Sequence, residues 1–356
     1  QIISRLENHC ADQQRGGFFC RAEGQEECKS AARDGQGLWT FSVLYNRVLR
    51  EQRYLEIAAR TADFLLNVPP AEGLWPRRYT REGELLEAAA GEVVGDLEIA
   101  CGLAEYAETS GEEAYRDMAR QIGLRCLELY DRPDYGAGAQ INGLPVPPGA
   151  RRLSLWAGLL RWGTALLRRG AHREVNIASA RSVAAVLNHH YHPELGLLSE
   201  VIGGDTFPLQ GPWGRYVCSA SALAALEAIL AEAVRGREEK LFDLAGRYFW
   251  QHLESAWDRQ EGGVRAARSA AGWSAQKPAG VQEQALTGTM ALVEHRGGEW
   301  EVEMCGRLLK YQRAQPESGQ PDFHCARRLM LGLLSLDGLI ARKGRPSGVF
   351  GEPCTN

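Results

Sequence analysis

The sequence predicts an all-α protein folded as an (α/α)6 barrel, a closed toroid of about twelve helices. Three observations carry that prediction. Apolar residues recur at helical spacing over nearly the whole length, the connectors alternate between short and long, and the long ones repeat a glycine phrase. Convincing alternating strands are few.

The helical segments fall near 1–11, 36–50, 52–67, 92–109, 112–130, 152–169, 173–190, 217–234, 237–255, 280–295, 299–314 and 324–342. The second shows the spacing in Leu38, Phe41, Leu44, Tyr45, Val48 and Leu49. The fourth shows it in Leu97, Cys101, Leu103, Ala104, Tyr106 and Ala107, and the sixth in Leu155, Trp156, Leu159, Leu160 and Leu166. Alanine and leucine, both good helix formers, abound in these segments. The last helix opens on Leu329, Met330, Leu331, Leu333 and Leu334.

Short polar connectors join helices into pairs: Glu51-Gln52-Arg53, Ser110-Gly111-Glu112 and Arg235-Gly236-Arg237. Longer Gly/Pro-rich loops join one pair to the next. Their repeated phrase reads Asp12-Gln13-Gln14-Arg15-Gly16-Gly17-Phe18, His192-Pro193-Glu194-Leu195-Gly196-Leu197-Leu198 and Asp258-Arg259-Gln260-Glu261-Gly262-Gly263-Val264. Glycine there supplies backbone angles that other residues resist. Six pairs close into a toroid with a packed floor and a mouth built from the long loops, where function is expected. The reading is one domain over 1–356, with 343–356 as a C-terminal tail.

Lys+Arg 41 against Asp+Glu 45 gives a net charge of −4, which points away from a nucleic-acid partner. No run approaches the roughly 18 apolar residues that span a bilayer, so no membrane partner is expected. Nine cysteines without CxxC spacing argue against a zinc site and a complete disulfide framework. Cys101, Cys126 and Cys305 read as small core residues, while a disulfide among Cys10, Cys20 and Cys28 stays open. The chain opens at Gln1 with no signal-like stretch, and a reducing, cytoplasmic setting is expected.

The stretch Pro321-Asp322-Phe323-His324-Cys325-Ala326-Arg327-Arg328 places one histidine and two arginines where an apolar helix begins. An imidazole changes charge near neutral pH, which suits proton transfer. Arg327, one turn on, suits a sugar hydroxyl or a carboxylate. Trp39 and Trp213 are flat aromatic surfaces that suit sugar faces or core packing. Asp96 at a helix start reads as a cap or a site acid, and Glu200 and Asp205 flank the long loop before Trp213. His189, His190 and His192 end a helix, where polar side chains meet free carbonyls, so no metal is expected there.

Leu38-Trp39-Thr40-Phe41-Ser42 with Tyr45, after Gly16-Gly17-Phe18-Phe19, resembles the opening of the N-acylglucosamine 2-epimerase superfamily, nearest its cellobiose 2-epimerase branch. Gly95-Asp96 with Gly102-Leu103-Ala104-Glu105-Tyr106-Ala107, Lys277-Pro278 with Val281-Gln282-Glu283-Gln284-Ala285-Leu286, and Phe323-His324 with Arg327 resemble later motifs in the same order. The resemblance implies an (α/α)6 barrel acting on a small-molecule carbohydrate without a cofactor. Two histidines there move a proton at the carbon beside the carbonyl, and an arginine steadies the oxyanion. The chain departs from that set. The first family histidine falls on Ser221, its nearby glutamate on Ala224, the family arginine on Gln36 and the late-loop glutamate on Gln284, beside Glu283.

The expected catalytic residues are therefore His324 and Glu283. The expected substrate contacts are Trp39, Gln36, Asp96, Trp213, Ser221, Gln282 and Arg327. A sugar isomerase or epimerase with a depleted catalytic set is the leading reading. A non-catalytic sugar-binding relative and a glycoside hydrolase on the same toroid are the alternatives, and a homodimer is left open.

Overall fold

The computed structural model describes residues 2–20, 28–71, 73–137, 139–141, 143–315 and 322–351. Pro321 and the end of the expected tail, 352–356, lie outside them. Helix α1 (Ile2–Arg5) continues as a π-helical turn, Leu6–Cys10. It is followed by α2 (Ala31–Val43, extended by the π turn Leu44–Val48), α3 (Gln52–Asn67), α4 (Val94–Ser110), α5 (Glu113–Tyr130) and α6 (Leu153–Leu167). The second half comprises α7 (Arg173–Ala184, with the π turn Ala185–His189), α8 (Ser219–Gly236), α9 (Glu239–Ala256), α10 (Ala279–Arg296), α11 (Glu299–Ala314) and α12 (Phe323–Ala341).

Even-numbered helices pack on one another in ring order, and α12 returns to α2, which closes the toroid. The other helices lie outside them: α3, α5 and α9 pack against the inner helices on both sides, α7 against α6, and α11 against α10. The inner helices are the more apolar because both flanks and the outer face meet protein. α6, for example, buries Leu155, Trp156, Leu159, Leu160, Trp162 and Leu166. Short connectors therefore share one end of the ring and long loops the other. Gly111, at a φ of 75°, ends α4 in the left-handed conformation that lets α5 turn back within a few residues.

Helix α2 begins five residues before its expected start, because Ser30 caps it by accepting from the Arg33 amide. The apolar rhythm starts only at Leu38, so periodicity alone misses that first turn. The small strands lie at the long-loop end. β1 (Cys28–Lys29), β2 (Arg78–Thr80) and β3 (Leu85–Glu87) form an antiparallel sheet, with Cys28 opposite Thr80 and Lys29 opposite Tyr79. Val217–Cys218, Ala267–Ser269 and Gly272–Trp273 form a second.

Two of the three glycine phrases are the same device. Asp12 Oδ1 accepts from the amides of Gln14 and Arg15, and Asp258 Oδ1 accepts from those of Gln260 and Glu261. Each carboxylate then pairs with a lysine two residues before the next helix: Lys29 at 3.1 Å and Lys277 at 2.8 Å. An arginine joins each pair, Arg81 at 2.8 Å and Arg265 at 3.2 Å. These cations hold both aspartates well below the usual carboxylate range. The residue after each Gly-Gly turn donates its amide to an inner helix: Phe18 to Asp34 at 2.6 Å, and Val264 to Gln282 at 2.7 Å.

Cys10, Cys20 and Cys28 are free thiols, so the disulfide left open above is absent. The expectation of a packed floor is also corrected. At the short-connector end the ring holds cavities of about 430 and 300 Å3, the first lined mostly by arginines and the second by charged and apolar side chains together. Described residues of the tail return over the outer wall, where Phe350 packs on Phe242 with ring centroids 4.9 Å apart.

Candidate active site in the barrel bore

Residues facing the bore recur three or four apart on each inner helix, as a helical face requires. On α8 the stripe is Ser221, Ala224, Glu227, Ala231 and Val234, half-buried among fully buried neighbours. On α12 it runs through His324, Arg327, Leu331 and Leu334. Glu98, Cys101 and Glu105 continue it on α4, and Arg161 on α6 with Arg168 just past its end.

His324 sits in the first turn of α12, which Asp322 caps by accepting from the Cys325 amide at 2.5 Å. Its ring is reached by solvent, yet enough protein surrounds it that desolvation pulls its pKa below the ordinary value, with Glu98 opposing. Both facts hold for a side chain lining a concave mouth. Gln36 Nε2 lies 3.1 Å from His324 Nε2. With that amide donating, Nε2 carries the lone pair of a neutral ring, an assignment made from the hydrogen-bond network.

Below His324 lies a charge cluster. Glu98 Oε1 is 3.3 Å from Arg161 Nη2, and its Oε2 is 3.6 Å from Arg327 Nη1. Burial works to raise the pKa of Glu98, but Arg161, Arg327 and His324 together hold it below the usual value. The Arg327 guanidinium also lies 4.2 Å from the centroid of Trp39, a cation–π contact on a ring that is almost wholly buried. Glu227, further down, is pushed the other way: burial raises its pKa while Arg327, Arg161, Arg168 and a hydrogen bond with Gln284 oppose. Around His324 the bore thus carries a neutral imidazole, the guanidiniums of Arg161 and Arg327, and a carboxylate held low, with Glu227 pushed up by burial further down.

The expected residues divide. His324, Gln36, Arg327 and Trp39 converge. Ser221 lies on the bore stripe of α8, and a hydrogen bond from it opposes the burial that pushes Glu200 up to about 7. Gln282 is committed to the backbone, accepting from the Val264 amide and donating to the Val264 carbonyl, each at 2.7 Å. Asp96 accepts from the Trp75 amide at 3.3 Å and clips a loop; burial pushes it up to about 7. Trp213 packs in a satellite cluster with Val146, Ala150, Val201 and Tyr216, and donates to the Pro145 carbonyl at 3.0 Å. Glu283 pairs with Arg328 at 2.8 Å and accepts from the Cys325 thiol, in a groove lined by α10, α11 and α12 rather than in the bore stripe of α10. An odd side chain on the α10 face explains it: Gln284 faces Glu227, and adjacent helix positions point about 100° apart.

Sequence reasoning missed Glu98, Arg161 and Glu227. A signal for them existed, because each is a charge in the interior of an Ala/Leu-rich inner helix. Among the described residues no group of three or more His, Cys, Asp or Glu side chains could hold a metal ion, and no helix is long and apolar enough to cross a membrane. His190 is buried with Nδ1 2.7 Å from the Ser199 carbonyl, a structural contact.

No protein-family model and no curated protein matches the chain. Solved structures do. A cellobiose 2-epimerase from Bacillus thermoamylovorans B4167 is 15% identical, with a TM-score of 0.75 over 94% of this chain and 98% of that one. A D-mannose isomerase is 12% identical, with a TM-score of 0.72 over 93% of this chain and 95% of that one. A beta-1,3-1,4-glucanase from Paenibacillus sp. X4 is 11% identical, with a TM-score of 0.63 over 94% of this chain and 89% of that one. The chain therefore has the (α/α)6 barrel that the helix pairing and the sequence resemblance predicted.

Proposed function

We propose that this barrel is a divergent member of the N-acylglucosamine 2-epimerase superfamily that isomerises a reducing sugar by proton transfer next to the carbonyl. The observation that carries the reading is the neutral, solvent-reached His324 set beside two guanidiniums in the bore. A lowered pKa keeps the imidazole in its basic form at neutral pH, and Arg327 and Arg161 supply positive charge where an enediolate oxygen would develop. His324 takes the proton from the carbon beside the carbonyl and returns it to the neighbouring carbon on the same face, while the hydroxyl proton of the first carbon passes to the former carbonyl oxygen and leaves a new carbonyl behind. Ser221 stands where the family's other histidine falls and is no base at neutral pH, which favours one-face aldose–ketose isomerisation over two-face epimerisation.

The test is loss of the carbon-2 proton signal from a panel of aldoses in deuterated buffer. Exchange should occur for at least one sugar, and His324→Gln should slow it at least about 100-fold. Because the imidazole pKa is depressed, the acid limb of the rate should lie below the ordinary histidine value of about 6.5. Saturable sugar binding with no exchange in any panel member would remove the proposal in favour of a sugar-binding protein.

A second reading rests on a separate observation: Glu98 and Glu227 share the bore with pKa values pushed in opposite directions, the pattern of a paired acid and base. Glycoside hydrolysis would follow from it. Release of reducing ends lost in both Glu98→Gln and Glu227→Gln but kept in His324→Gln would select that reading.

A further inference from the structure

The end of the ring opposite His324 carries a second concavity that the proposed chemistry does not use. Its lining is Asn46, Arg47, Arg50, Glu108, Arg168 and Arg169, around about 430 Å3. That volume falls among small-molecule pockets, which run from about 300 Å3 upward. Four guanidiniums face one lining carboxylate.

Two of the four are already neutralised. Arg47 holds both oxygens of the buried Glu105 at 2.8 Å, and Arg169 lies 3.2 Å from Glu108. Among the described residues Arg50 contacts only the Tyr45 ring, at 5.8 Å from its centroid. Arg168 makes no ion pair or hydrogen bond among the described residues. Its side chain is reached by solvent at the pocket's open side, as His324 is at the other mouth, yet the protein around it and then the neighbouring Arg47 depress its pKa, with Glu105 and Glu108 only partly offsetting them. Arg47 and Arg168 line as well the adjoining cavity of about 300 Å3, whose wall includes Glu227 and Arg235. The arginines follow the carboxyl ends of α2 and α6, where helix carbonyls favour cations. That placement accounts for cations at this end of the ring. It leaves unexplained an unpartnered guanidinium turned into a cavity beside another guanidinium, since like charges repel unless an anion lies between them.

We propose that this pocket binds a small oxyanion of the phosphate type, held by Arg168 and Arg50 with Asn46 as a further donor. Guanidinium forks match phosphate oxygens two at a time, which a lone ion pair to a helix end does not need. The ligand chemistry is a phosphate group, either as the free ion or carried on a hexose. The pocket is larger than the free ion requires, and the experiment separates the two sources. The proposal is independent of the His324 chemistry at the other end.

The test is titration of the full chain with inorganic phosphate and, separately, with a hexose 6-phosphate, followed by calorimetry at low ionic strength. One-to-one saturable binding is expected, at least tenfold weaker in Arg168→Gln and unchanged in Arg132→Gln, an exposed arginine paired with Asp134 outside the pocket. Tighter binding of the hexose ester identifies a phosphosugar site, and equal binding identifies a site for the free ion. Circular dichroism checks that Arg168→Gln folds; if it does not, Arg50→Gln carries the same comparison. Absence of saturation, or equal affinity in the folded variant and the parent, overturns the proposal. So does replacement of phosphate by chloride at matched ionic strength with no loss of the signal.

Discussion

Glu98 is the only carboxylate paired with both Arg161 and Arg327 among the described residues, so Glu98→Gln tests whether the bore cluster is held by charge balance. The substitution keeps shape and removes one negative charge. At separations of 3.3 and 3.6 Å each contact is worth about 5 kcal/mol gross with an effective dielectric of about 20. Breaking a buried pair costs about 3–5 kcal/mol net, because the stranded partner stays desolvated. The Arg161 side chain is 23% exposed, so water repays part of that, and about 2–3 kcal/mol is the expected loss. An unfolding entropy of about 2.1 cal/mol/K per residue turns this into a fall in Tm of about 3–4 °C for a chain of this length. Denaturant titration and thermal melts at neutral pH measure both quantities. The gap also has a required pH dependence. Glu98 has a depressed pKa in the folded state, so its contribution is complete above the ordinary glutamate value and fades as pH falls through the folded one. Parent and variant should therefore converge in acid. The double variant Glu98→Gln/Arg327→Gln should be more stable than the sum of the single effects, because it removes the stranded cation as well as its partner. A neutral-pH loss below about 0.5 kcal/mol would refute the reasoning, since that is the size of a surface pair.

Three further outcomes are expected. His252→Leu should cost about 1–3 kcal/mol, because Nε2 of this buried ring accepts from the Leu198 amide at 2.7 Å and that donor would lose its partner. Burial drives the His252 pKa down to about 3, so parent stability should fall as pH drops from about 6.5, where an unfolded histidine begins to protonate, and the variant should lack that part of the slope. Gly16→Ala should cost more than Gly262→Ala in denaturant melts: both glycines have φ near +80°, but a Cβ on Gly16 runs into the Arg60 carbonyl, whereas on Gly262 it meets Tyr311 at 3.4 Å.

The ring was readable because its information is redundant. Every inner helix repeats an apolar rhythm, and the described long loops turn on glycines at positive φ. Even a chain without a matching family model declares such an array through twelve agreeing segments. The site was readable where one residue carries its own meaning: His324 at a helix mouth, with Arg327 one turn on. It was hidden where meaning lies in convergence. Glu98, Arg161 and Glu227 come from α4, α6 and α8, and only ring closure brings them together. Gln282 and Glu283 show the converse. They sit where a catalytic loop was expected, yet one side chain is spent on the Val264 backbone and its neighbour points to the α12 wall.

The paired aspartate turns also make the rim unequal around its circumference. Asp12 and Asp258, each gripped by a lysine and an arginine, keep their charge far into acid. The arc between them depends instead on His190 and His252, neutral rings that demand protons well before those latches release, with pKa values near 4 and 3. Acidification should consequently unbuckle the ring from the α7–α9 side first, with the two riveted sectors surviving longest. Failure of this protein in acid is then a matter of direction as well as degree.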